Sequence, residues 1–206
     1  MKSKRIITVI AIIVVIITIF YSFRGSQDDG AYMKEIEEER EQKDRFMRSA
    51  RESPFANSDK EYAGLKYYPP DIKYRVIASL HPIEQKKSVV LTTNDGKEQH
   101  YIEYAHAEFK LNGVTNRLLI LEIADMGPFR GKLFLAFGDE TSAAETYGAG
   151  RYLDVAKTPG SSTTKLDFNL AYNPYCAYND TFSCPIPARE NILAIPIRAG
   201  EKSYHP

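Results

Sequence analysis

The chain has 206 residues, room for one domain of ordinary size, with 27 basic and 27 acidic residues. The balance is uneven, because Lys2, Lys4, Arg5 and Arg24 stand in the first 24 residues without an acidic neighbour, leaving 23 basic against 27 acidic residues in the rest. That acidic remainder argues against nucleic-acid binding, which rests on neutralising phosphates, and 14 Tyr, 10 Phe, 11 Pro and 12 Gly suit a turn-rich β domain.

Residues 6–23 form an almost unbroken apolar run without charge. Eighteen residues at ~1.5 Å rise span roughly 27 Å, enough to cross a bilayer core as a helix. The run is longer than a signal-peptide core, and no small-residue cleavage site follows it, so the expectation is an uncleaved anchor. Lys2, Lys4 and Arg5 before it and Asp28 and Asp29 after it place the N-terminus in the cytoplasm and residues 25–206 outside. The predicted organisation is a cytoplasmic tip and transmembrane anchor over 1–24, a helical stalk or linker over 25–58 and a β-rich extracytoplasmic domain over 59–206.

Residues 31–52 read as a charged helix with sparse apolar positions, a solvated spacer ended at Ser53-Pro54. Beyond Tyr67-Tyr68-Pro69-Pro70 the pattern turns to period two. Strands are expected over Lys73–Leu80, Ser88–Thr93 and Glu98–Leu111, the last two flanking Asn94-Asp95-Gly96. Asn112-Gly113 is the strongest hairpin signal and leads to Arg117–Ile123. Further strands are expected over Lys132–Phe137, Gly150–Val155, 165–170 and Asn191–Arg198, with Pro196 marking an edge or bulge. Short strands joined by tight turns, without alternating helices, predict a mostly β fold, an antiparallel β-sandwich or barrel-like domain.

The chemistry concentrates in 137–201. Cys176 and Cys184 are the only cysteines, and in an oxidising compartment they predict a disulfide closing a loop of about nine residues. Zinc or a nucleophilic Cys176 are the alternatives; the spacing is wider than that of structural zinc sites, so no metal is expected. On a 165–170 strand, Asp167 and Asn169 would share the face opposite Leu166, Phe168 and Leu170. Arg151 would fall on a core face with Leu153 and Val155, which demands a partner, Glu145 or Asp167. Gly148-Ala149-Gly150 lacks the third glycine of a dinucleotide fingerprint and suits a bulge or turn.

Several stretches carry a family resemblance: GLKYYPPDIKYRVIA from 64, GDETSAAETYGAGRYLD from 138, LDFNLAYNPYCAYND from 166 with the following CPIP, and ENILAIPIRAGEK from 190. Over roughly residues 45–203 the chain resembles a bacterial family of uncharacterised proteins, domain-of-unknown-function family 1684. The resemblance implies where a site lies but carries no activity or cofactor, and a bacterial protein with this anchor would sit in the inner membrane, its domain periplasmic. The expected function is binding of a small polar or anionic ligand or an envelope partner, with Tyr147, Arg151, Asn169, Asn173 and Tyr178 as ligand-binding candidates. The alternatives are a hydrolase using Glu145 or Asp167 as general acid or base, and a structural envelope protein.

Overall fold

A computed structural model describes residues 29–56, 61–124 and 127–205. The expected anchor over 6–23 lies outside the described residues; among these, no helix is long and apolar enough to cross a membrane.

Helix α1 spans 29–49. It is not the solvated spacer its composition suggests, because Tyr32, Ile36 and Met47 are buried against the domain. These positions and residues 40 and 43 continue one stripe at helical spacing. Two of the five stripe positions are the cations Arg40 and Lys43, which is why no apolar periodicity is visible. After the helix, Ser53 Oγ donates to Met47 O and accepts from Phe55 N–H. That turn sends Phe55 into a cluster with Met47 and Tyr178.

The domain is one antiparallel sheet curled into a half-barrel. Its strands are β1 (Arg75–Pro82), β2 (Ser88–Thr92), β3 (Glu98–Leu111), β4 (Val114–Ile123), β5 (Leu133–Phe137), β6 (Arg151–Leu153) and β7 (Thr163–Asp167). The spatial order is β6-β5-β4-β3-β1-β7. β3 is long enough to pair with β1 through one half and with β2 through the other, and it is bulged between Glu103 and Ala105. Asn112 (φ 52°) and Gly113 (φ 80°) form the two-residue turn between Leu111 and Val114, both central residues left-handed as a primed turn requires.

Successive residues of β4 bury opposite faces. Leu118 and Ile120 join Phe109, Phe137, Leu166 and Phe168 in the main core. Leu119 and Leu121 join Leu91, Tyr101 and Ile123 in a second cluster on the other face.

Of the expected strands, that over 165–170 is cut short and that over 191–198 does not form. β7 stops at Asp167, and Phe168–Leu170 is a 3-10 turn whose first free amide, Asn169 N–H, donates to Asp167 Oδ1 at 3.2 Å. Asp167 and Asn169 are therefore cap and capped residue, not neighbours on a strand face. The segment 191–198 forms no strand either, meeting the sheet at a single bridge between Gly138 and Ile192. Side chains take over the role of a strand ladder. Asn191 pairs with Leu119 N–H and O and with Ala136 O, and Arg151 collects carbonyls from 197 to 201.

Candidate functional site

The seven residues singled out in the sequence divide among separate networks. Arg151 is 1% exposed. Its Nη2 donates to Asp139 Oδ2 at 2.9 Å and to Ile197 O at 2.8 Å, while Nη1 donates to Ala199 O and to Glu201 O. Its carboxylate partner is thus Asp139, not Glu145 or Asp167. Asp139 Oδ1 in turn accepts from Thr141 N–H, Thr141 Oγ1 and Ile197 N–H. With the carboxylate and three carbonyls satisfied by one guanidinium, this is a structural clamp.

Asp167 and Asn169 form a second knot. Tyr32 Oη donates to Asp167 at 2.8 Å and accepts from Asn169 Nδ2 at 2.8 Å. Asn169 Nδ2 also donates to Asp71 O, and its Oδ1 accepts from Asp71 N–H. This knot docks the first turns of α1 onto the end of β7. Burial, then the hydrogen bond to Asp167, raises the Tyr32 phenol above its ordinary range, so it stays a donor.

Glu145 lies in a half-exposed ion pair with Arg198, 3.0 Å away, and accepts from Tyr68 Oη. The Arg198 hydrogen bond holds its carboxyl below the ordinary range, which makes it a poor proton carrier near neutrality. Asp167 is buried, its Oδ1 accepting from Tyr32 Oη, Asn169 N–H and Asn169 Nδ2, with Arg75 Nε 3.9 Å from Oδ2.

A residue that sequence reasoning passed over organises the third network. Glu201 is fully buried. Its Oε2 accepts from Asn173 N–H at 2.9 Å and from Tyr178 Oη, and its Oε1 lies 2.8 Å from Lys43 Nζ. Burial, then Glu201, pushes the Tyr178 phenol well up and keeps its proton on the oxygen. Asn173 Nδ2 donates to Lys202 O. Glu201 stands in the C-terminal signature stretch, but nothing in its neighbours marks it as buried. The signal is its position after Gly200, whose φ of 75° turns the chain inward.

These second and third networks wall a cleft of about 410 Å³ between α1 and the ends of β6 and β7. Arg40 enters it from the helix, with Nη1 donating to Tyr68 O at 2.9 Å and Nη2 to Asn169 O at 3.3 Å. The guanidinium stacks over the Tyr67 ring at 4.4 Å, and its Nε is buried without an acceptor. Tyr67 Oη is likewise buried, and neither it nor Arg40 Nε has a partner among the described residues. Burial, then the charge of Glu201, raises that phenol, so it too is a neutral donor. Lys43 Nζ lies 4.1 Å above the Tyr172 ring on the opposite wall. Arg40 therefore brings a half-buried positive charge whose hydrogen bonds, among the described residues, go to carbonyls. It stands beside Lys43, which is paired with Glu201, and the Tyr67 phenol, in a cleft that Glu39, Asp154 and Asp167 also line.

Cys176 and Cys184 are free thiols, so the expected disulfide is not formed. Cys184 Sγ instead accepts from the Cys176 backbone N–H at 3.2 Å, which turns the sulfur toward the amide. Tyr147 Oη lies 3.7 Å from Cys176 Sγ. The hydrogen bond from Cys184 brings the Cys176 thiol down to about 7, while the same contact and burial push Cys184 far up. No group of three or more metal-ligating side chains is assembled among the described residues.

Together these features define a β-rich domain with a half-open antiparallel sheet, a docked N-terminal helix and a cation-bearing cleft between them. The chain belongs to domain-of-unknown-function family 1684, described as "Protein of unknown function (DUF1684)", which matches residues 60–202. No curated protein matches. Among solved structures, an uncharacterized protein of Haloarcula marismortui, determined by solution NMR, is 35% identical with a TM-score of 0.64. That likeness covers 85% of this chain and 96% of the other. Its reach exceeds residues 60–202, after which only four residues remain, so it takes in part of the chain before residue 60.

Proposed function

We propose that this protein is a binding domain for a small anionic ligand, carrying its site in the cleft between α1 and the sheet. The observation that supports this reading most is Arg40. A half-buried guanidinium without a carboxylate partner among the described residues is costly to keep, and here it lies between Ile36 and Lys43 on a stripe whose other positions, Tyr32, Ile36 and Met47, are buried. Such a break with local pattern is expected where a residue serves a ligand. Lys43, which also pairs with Glu201, and the Tyr67 phenol supply further donors, a set suited to a carboxylate or phosphate. Residues 6–23 would hold the domain to the membrane on its outer face, an assignment that rests on the apolar run and the charges flanking it.

The test is thermal unfolding of the full chain in detergent, in inorganic phosphate and in chloride at equal ionic strength. Phosphate at 100 times its Kd stabilises the folded state by about 2.7 kcal/mol, and Arg40→Gln removes that gain. Equal unfolding temperatures in the two salts would sink the proposal.

A further inference from the structure

The cleft does not end at Tyr172. That residue is a wall shared by three adjoining hollows. On the side of the cleft its ring carries Lys43 Nζ. On the other side Tyr152 meets it edge-on, with centroids 6.0 Å apart. Past it lies a groove of about 430 Å³ whose walls include Tyr101, Phe134, Tyr152, Tyr175 and Phe182. The intermediate hollow shares Asp154 with the cleft and Phe134 with the groove, so the three adjoin along Tyr172.

The two ends differ in chemistry. In the groove two tyrosine hydroxyls are turned to internal partners: Tyr152 Oη donates to Pro185 O at 2.6 Å, and Tyr101 Oη donates to Gln99 Oε1 at 2.8 Å. Both residues are buried, and the ring surface a guest would meet comes from the part-exposed Phe134, Tyr175 and Phe182. Phe134 stacks on Tyr101 at 5.1 Å and meets Tyr152 edge-on at 4.9 Å, while Phe182 meets Tyr175 edge-on at 5.3 Å. Rings set at alternating angles present both edges and faces, the arrangement an aromatic guest packs against best.

We infer that the ligand is an amphiphilic organic anion, with a carboxylate or phosphate held by Arg40 and Lys43 and a flat apolar ring lying past Tyr172 in the aromatic groove. This rests on the anion-binding reading above and narrows it. The charged group satisfies the Arg40 guanidinium, and the ring covers side chains that otherwise face water.

Calorimetry on the full chain in detergent, with the detergent blank subtracted, separates the two ideas. The probes are 2-naphthyl phosphate, inorganic phosphate and 2-naphthol. The expected result is naphthyl phosphate binding at least tenfold tighter than either of the others. Phe182→Ala weakens naphthyl phosphate at least fivefold and leaves inorganic phosphate unchanged; Phe182→Leu, which keeps apolar volume without the ring, gives a smaller loss in the same direction. Arg40→Gln brings naphthyl phosphate down to the level of naphthol. If inorganic phosphate binds through Arg40 but the naphthyl group adds nothing, the amphiphile inference is overturned while the anion site stands. If naphthol binds as tightly as its phosphate, charge is not read and the inference fails. If neither phosphate binds, the anion site itself is refuted.

Discussion

Replacing Arg151 by Met tests how this fold closes without a last strand. The substitution keeps the length and apolar bulk of the side chain and removes every donor. Asp139 then keeps a buried carboxylate whose cation is gone, which costs about 3–5 kcal/mol when one partner of a buried pair is deleted. Ile197 O, Ala199 O and Glu201 O lose their donor as well. An unsatisfied buried acceptor costs ~1–3 kcal/mol, although a segment near the C-terminus can turn some of these toward water. A loss of about 5 kcal/mol is therefore expected, comparable with the whole stability of a domain holding 5–15 kcal/mol. Urea unfolding followed by circular dichroism measures it as a fall in midpoint at unchanged slope. Asp139→Asn combined with Arg151→Met should cost less than the two singles added, since each alone leaves the other unpaired. A loss below about 1 kcal/mol for Arg151→Met would refute the clamp, on the scale by which buried pairs are judged.

Three further outcomes follow from particular contacts. Tyr32→Phe removes the hydroxyl that bridges Asp167 and Asn169; a cost of about 1–3 kcal/mol and faster amide exchange along α1 are expected, and unchanged exchange would show that the helix docks by apolar contact alone. Gly200→Ala forces a Cβ to within 2.5 Å of Ala171 O and 2.7 Å of Phe168 O at a φ of 75°, whereas Gly64→Ala meets nothing at a φ of 88°. The second should cost about 1–2 kcal/mol, the left-handed penalty for a residue with a Cβ, and the first clearly more; equal midpoints in urea would contradict the packing around Glu201. Alkylation of Cys176 by iodoacetamide under reducing conditions should rise with pH about a midpoint near 7, with Cys184 much slower. Because the folded value lies below the ordinary thiol value of about 8.5, this group's contribution to stability is complete above that value and lost as pH falls through 7. A labelling midpoint near 8.5 would remove the hydrogen bond from Cys184 as the cause.

Much of the sheet was legible because its signals are local. Alternation from Glu98 to Leu111 gave β3 to the residue, and Asn112-Gly113 carried its own backbone preference. What failed was of two kinds. The segments 168–170 and 191–198 have strand-like alternation, but the first is turned by a cap at Asp167 and the second is tied by the distant Arg151 side chain and by Asn191 reaching across to β4 and β5. No local pattern encodes those partners. The helix failed for the opposite reason. Its stripe of Tyr32, Ile36, Arg40, Lys43 and Met47 is regular, yet two cations in it mimic a solvated face. Their cover comes from Tyr67, Tyr172 and Glu201, which are remote in the chain. Arg151 was recognised as buried from its place beside Leu153, but its partner Asp139 was not, since it stands twelve positions earlier, across a loop. The site was thus half visible: Asn173 and Tyr178 border the Glu201 network, while Arg40 and Lys43, the cations proposed to hold the ligand, come from α1.

The most direct test of the anion cleft is the side-chain Nε–H resonance of Arg40, followed by nitrogen-15 NMR while inorganic phosphate is added to the full chain. The proposed site predicts a saturable shift of that signal, accompanied by the backbone amides of Lys43 and Tyr67 and absent with chloride at equal ionic strength. A signal that stays still, or drifts in step with ionic strength in both salts, would contradict it.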